Sequence, residues 1–465
     1  MGAIAAISIA PKWTQILVTN CYKSYKQLHK KPSLILPGVS KDKALKFTKV
    51  STMITSTSIH SITATGCNIF KNWNYFLKLF ILSWVIPYQV FFVSTLNAAP
   101  YIPADDAVVL QKLPAPGNVG MRTLLQLRNT LSKSPADLAL AAELARSYLQ
   151  IGKTMADPRY EGYAQAALQP WWHMDQPPPT VLVLRAILRQ RQHNFENALN
   201  DLNRVLRAQP GNIQAWLTQA AIYQVQGDYQ AAYRSCFPLF RLSSNLLATA
   251  CTASISSLNG RAQESHQALR KAIEQTPVAA PQEKLWALTI LAETAARLEK
   301  YSEAEQYFQM ALAVDRKDNY LLGAYGDFLL DQNRPEAVQS LLQQAAQSDG
   351  LMLRLALAAQ QLNAPGLDSD IETLKARFAA SRLRKETQHL RDEARFTLHL
   401  LYDSDQALKL AVDNWRIQRE PWDARILLEA ALQQNDPAAA QPVIDWLRSV
   451  NLEDSQLARL LGELS

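Results

Sequence analysis

The sequence predicts an all-α solenoid, a superhelix of antiparallel helix pairs, preceded by a signal or anchor segment. Three observations predict it: a small residue that recurs at near-constant intervals, helical periodicity on both sides of a short turn, and a sharp composition break near residue 100. A chain of 465 residues exceeds one ordinary compact core but suits an elongated repeat array.

The composition break comes first along the chain. Residues 1–99 hold 11 Lys, no Arg and one acid, Asp42, whereas residues 100–465 hold 37 basic and 40 acidic groups. The formal charge of +7 is therefore an N-terminal property. A phosphate-binding surface needs its cations clustered on the folded domain itself. The remaining cluster, "RLRK" at Arg382–Lys385, reads as a solvated helix face, so no nucleic-acid partner is expected.

Within the first hundred residues, Lys71 and Lys78 precede an apolar run from Leu79 to Leu96, followed by the small residues Ala98 and Ala99 and a Pro-containing polar stretch. This is the order of a secretory signal peptide. Its length also approaches that of an uncleaved anchor, which would make residues 79–96 the sole membrane contact. Either form exports the remainder of the chain, to a periplasmic or envelope-associated location. Residues 1–70 are rich in Ser, Thr and Lys and lack periodicity. They are expected to be disordered or to precede the biological start.

The repeat is legible in "AWLTQAAIYQVQGDYQAAY" (Ala215–Tyr233). Trp216, Ala220 and Tyr223 fall at i, i+4, i+7 on one helix face. Gly227 ends that helix in the left-handed conformation, Asp228 caps the next, and Ala232 is small because the partner helix crosses near its backbone. Equivalent small residues are Ala164, Ala198, Ser265, Ala304, Ala337, Ala407 and Ala440, separated by 34, 34, 33, 39, 33, 70 and 33 residues when Ala232 is included. The long interval leaves room for a degenerate copy over 351–384.

These residues resemble the tetratricopeptide repeat family. Trp216, Tyr223, Gly227, Asp228, Tyr229 and Ala232 match its order in one copy. Leu291, Ala292, Tyr301, Ala304, Phe308 and Ala311 match in another, with Ala198 and Pro210 in a third and Tyr325 and Gly326 in a fourth. The 34-residue period is the family's. The resemblance implies a linker with the first helical residues over 100–130, a degenerate first repeat with a Pro-rich link over 131–178, a strong array over 179–350, and degenerate helical repeats over 351–465.

The resemblance also implies an open concave groove built from first helices. By frame it offers Ile187, Arg191, Leu217, Ala221, Gln224, Trp286, Glu293, Arg297, Tyr320, Asp327, Trp422, Arg425 and Glu429. This mixed, aromatic-bearing set suits a protein or peptide ligand. The Lys and Asn clamp used by the family's chaperone-tail subset is not found.

No catalytic, cofactor or metal residues are expected. Seven histidines form no ligand constellation, and there is no phosphate loop or nucleophile elbow. The expected role is an exported interaction scaffold in envelope complex assembly. Its rivals are a membrane-anchored adaptor and a helical-array enzyme acting on glycans. Cys236 and Cys251 stand about equally far from a turn near Ser243, and either bridge in an oxidising compartment or serve as small buried hydrophobes. Trp171 and Trp172 are expected to pack a junction rather than form an exposed platform.

Overall fold

Why the segment between residues 213 and 236 makes two helices is visible at its caps. In the computed structural model, which describes residues 119–464 except 156, 346 and 347, the Asn212 side chain accepts from Ala215 N and the Asp228 side chain from Ala231 N. Each cap satisfies a backbone donor that the first helical turn leaves free, worth about 1 kcal/mol. Between them the Gly227 N–H bonds Gln224 O at 3.0 Å and the Asp228 N–H bonds Tyr223 O at 2.9 Å. This left-handed stop reverses the chain.

The same hairpin is repeated. The chain enters through α1 (Val119–Lys133), α2 (Leu138–Met155), α3 (Arg159–Ala167) and the short α4 (Gln169–Trp172). Next come α5 (Pro179–Arg191), α6 (Phe195–Ala208), α7 (Ile213–Val225), α8 (Tyr229–Cys236) and the short α9 (Leu239–Leu242). The middle holds α10 (Asn245–Ser256), α11 (Ala262–Glu274), α12 (Pro281–Arg297), α13 (Tyr301–Val314), α14 (Asn319–Asp331) and α15 (Pro335–Leu342). The last part holds α16 (Asp349–Gln361), α17 (Leu367–Leu383), α18 (Leu390–His399), α19 (Ser404–Trp415), α20 (Pro421–Gln434), α21 (Pro437–Val450) and α22 (Ser455–Glu463). No strand occurs among the described residues.

First helices are flanked by neighbours on two sides and bury most of their surface; Ala215, Leu217, Ala220 and Ile222 of α7 have no exposed surface. Second helices cover them from one side and are amphipathic. In α6, Ala198, Leu202 and Val205 are fully buried, while Glu196, Asn197 and Arg207 are exposed. The repeating small residue sits at the fourth position of each of these second helices, at Ala198, Ala232, Ser265, Ala304, Ala407 and Ala440, all buried.

One sequence expectation needs correction. In α15 the equivalent position is Val338, fully buried, and Ala337 is only half-buried, because the helix begins one residue later at Pro335. The stretch after residue 351, whose repeats are degenerate in sequence, holds three complete hairpins: α16–α17, α18–α19 and α20–α21. Its family pattern is weak because apolar residues of other shapes, such as Phe378 (1 % exposed) and Phe396 (2 %), fill the same inter-helix space.

Trp171 and Trp172 are buried in the core of the first hairpins, and Arg185 donates to the Trp172 carbonyl. The structure joins Cys236 to Cys251 by a disulfide with Cα atoms 5.7 Å apart. Among the described residues no helix is long and apolar enough to cross a membrane. The proposed signal or anchor at residues 71–99, and residues 1–70, lie outside the described part.

Candidate functional site

The first helices of the hairpins line a cavity of about 1020 Å³. Contacts between distant repeats flank it. The Arg419 N–H bonds Val225 O at 2.7 Å, between α19 and α20 on one side and the end of α7 on the other. Glu453 accepts from the Ala262 N–H at 2.6 Å, and the Trp446 ring lies 6.4 Å from that of Tyr229. Across the other side Lys153 pairs with Asp318 at 2.7 Å, and Asn319 donates to the Lys153 carbonyl. Hairpin stacking with a constant small rotation brings distant repeats together in this way.

Of the expected groove residues, Arg191, Gln224, Trp286, Glu293, Arg297, Tyr320, Asp327, Trp422 and Arg425 lie on the cavity wall. Ile187, Leu217 and Ala221 do not; each is buried between helices. Glu429 is not on the wall either. It sits where His399 Nε2, 3.0 Å away, and Arg425 Nε, 2.7 Å away, hold it. Frame alone places a residue on the inward side of a helix, but the neighbouring hairpin decides whether it reaches open space.

Most wall charges are paired within the chain. Arg191 bonds Glu161, and Arg425 bridges Asp331 and Glu429. Asp327 accepts from Arg354 at 2.5 Å and from Arg395 at 2.6 Å. Burial pushes the Asp327 pKa up, but the two guanidinium groups outweigh it and hold the carboxyl below its ordinary range. Trp422 is a platform for cations, with Arg395 and Arg425 each 4.3 Å from its ring centre, an arrangement that favours planar guanidinium groups. Glu429 is likewise pushed up by burial, yet His399 and Arg425 bring its carboxyl down to about 2.

One part of the wall differs. Glu293 accepts from the Tyr320 hydroxyl at 2.8 Å, and burial raises its carboxyl to about 7. Four residues on, Arg297 makes no ion pair; its Nη2 donates to Ser257 Oγ and Thr294 Oγ1, and its buried Nε has no acceptor. Trp286, 3 % exposed, also has an unpaired indole N–H. Sequence reasoning missed the ion-pair partners Arg354, Arg391 and Arg395, which come from hairpins where the family pattern is faint.

No protein-family model matches the chain, and no curated protein does. Among solved structures the chain is similar to a tetratricopeptide repeat protein from Parabacteroides merdae, at 18 % identity over 51 % of this chain and 92 % of that one, with a TM-score of 0.37. It is also similar to human IFIT1, solved as a dimer with m7Gppp-AAAA, at 12 % identity over 74 % and 86 %, TM-score 0.39. A third is the APC/C hetero-tetramer Cut9-Hcn1, at 12 % identity over 74 % and 86 %, TM-score 0.28. These superpositions are shallow, and the chain's own turns identify the fold. Between first and second helices a left-handed residue recurs at His193, Gly227, Gly260, Glu299, Asn333, Asn363, Tyr402 and Asn435, and in six of these turns the buried small residue follows five positions on, at Ala198, Ala232, Ser265, Ala304, Ala407 and Ala440. The fold is a tetratricopeptide-type array. In this tetratricopeptide-type array the wall of the cavity carries nine of the residues that the family resemblance assigned to binding.

Proposed function

We propose that this chain is an exported interaction scaffold whose inner wall receives a segment of a partner protein, in the assembly of an envelope complex. The observation that carries the reading is the continuous wall of first helices around a 1020 Å³ cavity, where paired charges alternate with apolar side chains such as Leu258, Leu285 and Ile290. Such a surface orients a polypeptide through few polar contacts and excludes water with the rest. The wall's cations are nearly all engaged by carboxylates of the same chain, which leaves few for phosphate groups and disfavours nucleic acid. Export is supported by the charged, apolar and small-residue order over residues 71–99 and by the Cys236–Cys251 disulfide, a bond that persists in oxidising compartments.

Photo-crosslinking in intact cells tests the reading. A crosslinker at Met155, on the cavity wall, is expected to trap a polypeptide of the envelope fraction. The same group at Val278, 94 % exposed and off that wall, is expected to trap none. Equal yields at both positions, or a chain recovered only from the cytosol, would defeat the proposal.

A further inference from the structure

The cations on the wall are matched to carboxylates with one exception. Lys153 has Asp318, Arg159 has Asp157, Arg191 has Glu161, and Arg354 has Asp327. Arg377 has Asp349, Arg384 has Glu386, Arg391 has Glu420, and Arg425 has Asp331. Among the described residues of the wall, Arg297 is the arginine without a carboxylate in ion-pair contact. It is nonetheless fixed: Ser257, the residue after α10, and Thr294, one turn back, both accept from Nη2. A guanidinium held in place without a counter-ion, with its Nε buried and unpaired, carries a desolvation cost that an incoming anion would relieve.

We propose that the cavity holds a receptor site for a single carboxylate borne on an apolar body, with Arg297 as its counter-charge and Glu293, held by the Tyr320 hydroxyl, beside it. The inference rests on the scaffold reading and names the chemistry of what that wall takes. One free cation answers one negative charge. The apolar body is matched by Leu258 and Ile290 on the same wall. Glu293 decides when the site is open. Tyr320 bonds it, Arg297 is near enough to favour its ionised form, and Glu420 and Asp327 oppose that form. While its carboxyl keeps its proton, Arg297 is uncompensated and attracts the ligand. Once ionised, Glu293 neutralises Arg297 and repels the incoming carboxylate. Binding is therefore coupled to protonation of Glu293, and affinity falls as pH rises through neutrality.

Titration calorimetry on the full chain tests this with N-acetyl-leucine, its amide, a hexapeptide ending in leucine, the amidated hexapeptide, and inorganic phosphate, at pH 6 and pH 8. The acids are expected to bind at least about tenfold more tightly than the amides at pH 6, and to lose affinity at pH 8. Arg297→Gln should bring acid and amide together, Glu293→Gln should flatten the pH dependence, and the surface change Arg416→Gln should leave the profile intact. Tighter binding of the hexapeptide than of N-acetyl-leucine marks a chain terminus as the source; equal binding marks a small acid. Acid and amide binding alike, phosphate binding as well as the acids, or full acid affinity in Arg297→Gln would each overturn the site. Should Arg297→Gln not fold, an unflattened pH profile in Glu293→Gln overturns it instead. If no acid binds the wild-type chain while Met155 still crosslinks a polypeptide, the receptor site fails and the scaffold reading stands.

Discussion

Arg395 of α18 reaches Asp327 of α14 at 2.6 Å across 68 residues of sequence. Arg354 of α16 holds the other oxygen of the same carboxylate, so one acid ties three successive first helices together. All three side chains are largely buried. Removing the shared acid leaves two buried guanidinium groups uncompensated, which costs about 3–5 kcal/mol. Asp327→Asn is therefore expected to lower unfolding stability by about that amount in urea titration, and Arg395→Met, which leaves the Asp327–Arg354 pair intact, by less. A loss below about 1 kcal/mol in Asp327→Asn would show that the cluster is solvated.

The left-handed turn position gives a prediction of opposite sign. Glu299 adopts φ 58° and Gly227 φ 78°, yet only one of them is glycine. A side chain in this region costs about 1–2 kcal/mol, partly offset by the greater freedom of glycine in the unfolded chain. Glu299→Gly is expected to raise stability by about 0.5–1 kcal/mol. Gly227→Ala should lower it by more than that, because a Cβ there would lie 3.2 Å from Trp446 Nε1 and 3.3 Å from the Arg419 side chain. Thermal melts of the two variants moving in the same direction would contradict this.

Protonation of Glu293 should be visible in the pH dependence of folding. Burial raises its carboxyl to about 7 in the folded chain, against about 4.3 for an unperturbed Glu. Between those values the folded state holds a proton that the unfolded state has lost, so this group's contribution declines as pH rises through that window and is constant above it. Glu429 behaves oppositely. Its carboxyl is brought down to about 2, so its contribution is present above the unfolded value and is lost as pH falls toward 2. Glu293→Gln should remove the decline between about pH 4.3 and 7 and leave the acid limb unchanged; an unaltered slope would refute the assignment.

The Cys236–Cys251 disulfide closes a loop of sequence separation 15. Cross-linking a loop of that size stabilises by about 3 kcal/mol by restricting the unfolded chain. The double change to Ser is expected to cost that order in urea melts under oxidising conditions and nothing further under reducing ones. Identical stability of the wild-type chain with and without reductant would argue against the bond.

How much of this was legible beforehand differs by feature. Trp286, Glu293, Arg297, Tyr320 and Asp327 could be placed on the inward side from the repeat frame, because helical periodicity fixes a side chain's direction. Ile187, Leu217 and Ala221 share that side but are covered by an adjacent hairpin. Periodicity describes one helix and not the angle of the next. Which charges pair was likewise hidden: nothing local to Asp327 announces Arg395, which arrives from two hairpins away. The lone state of Arg297 emerges only after every other cation on the wall has found its carboxylate.

The sequence by itself determined the repeating helix pair, through apolar spacing, capping side chains and a small residue at each close crossing, all of which act within about 34 residues. Tertiary structure decided that the array closes on itself, and with it the identity of two turn residues. Gly227 and Gly260 occupy the same left-handed position as Glu299, Asn333 and Asn435. At those two turns the C-terminal region presses in, Trp446 and Arg419 on one and Asn451 on the other. Local geometry permits several residues at that turn, and it is the approach of a distant segment that leaves little room for a side chain.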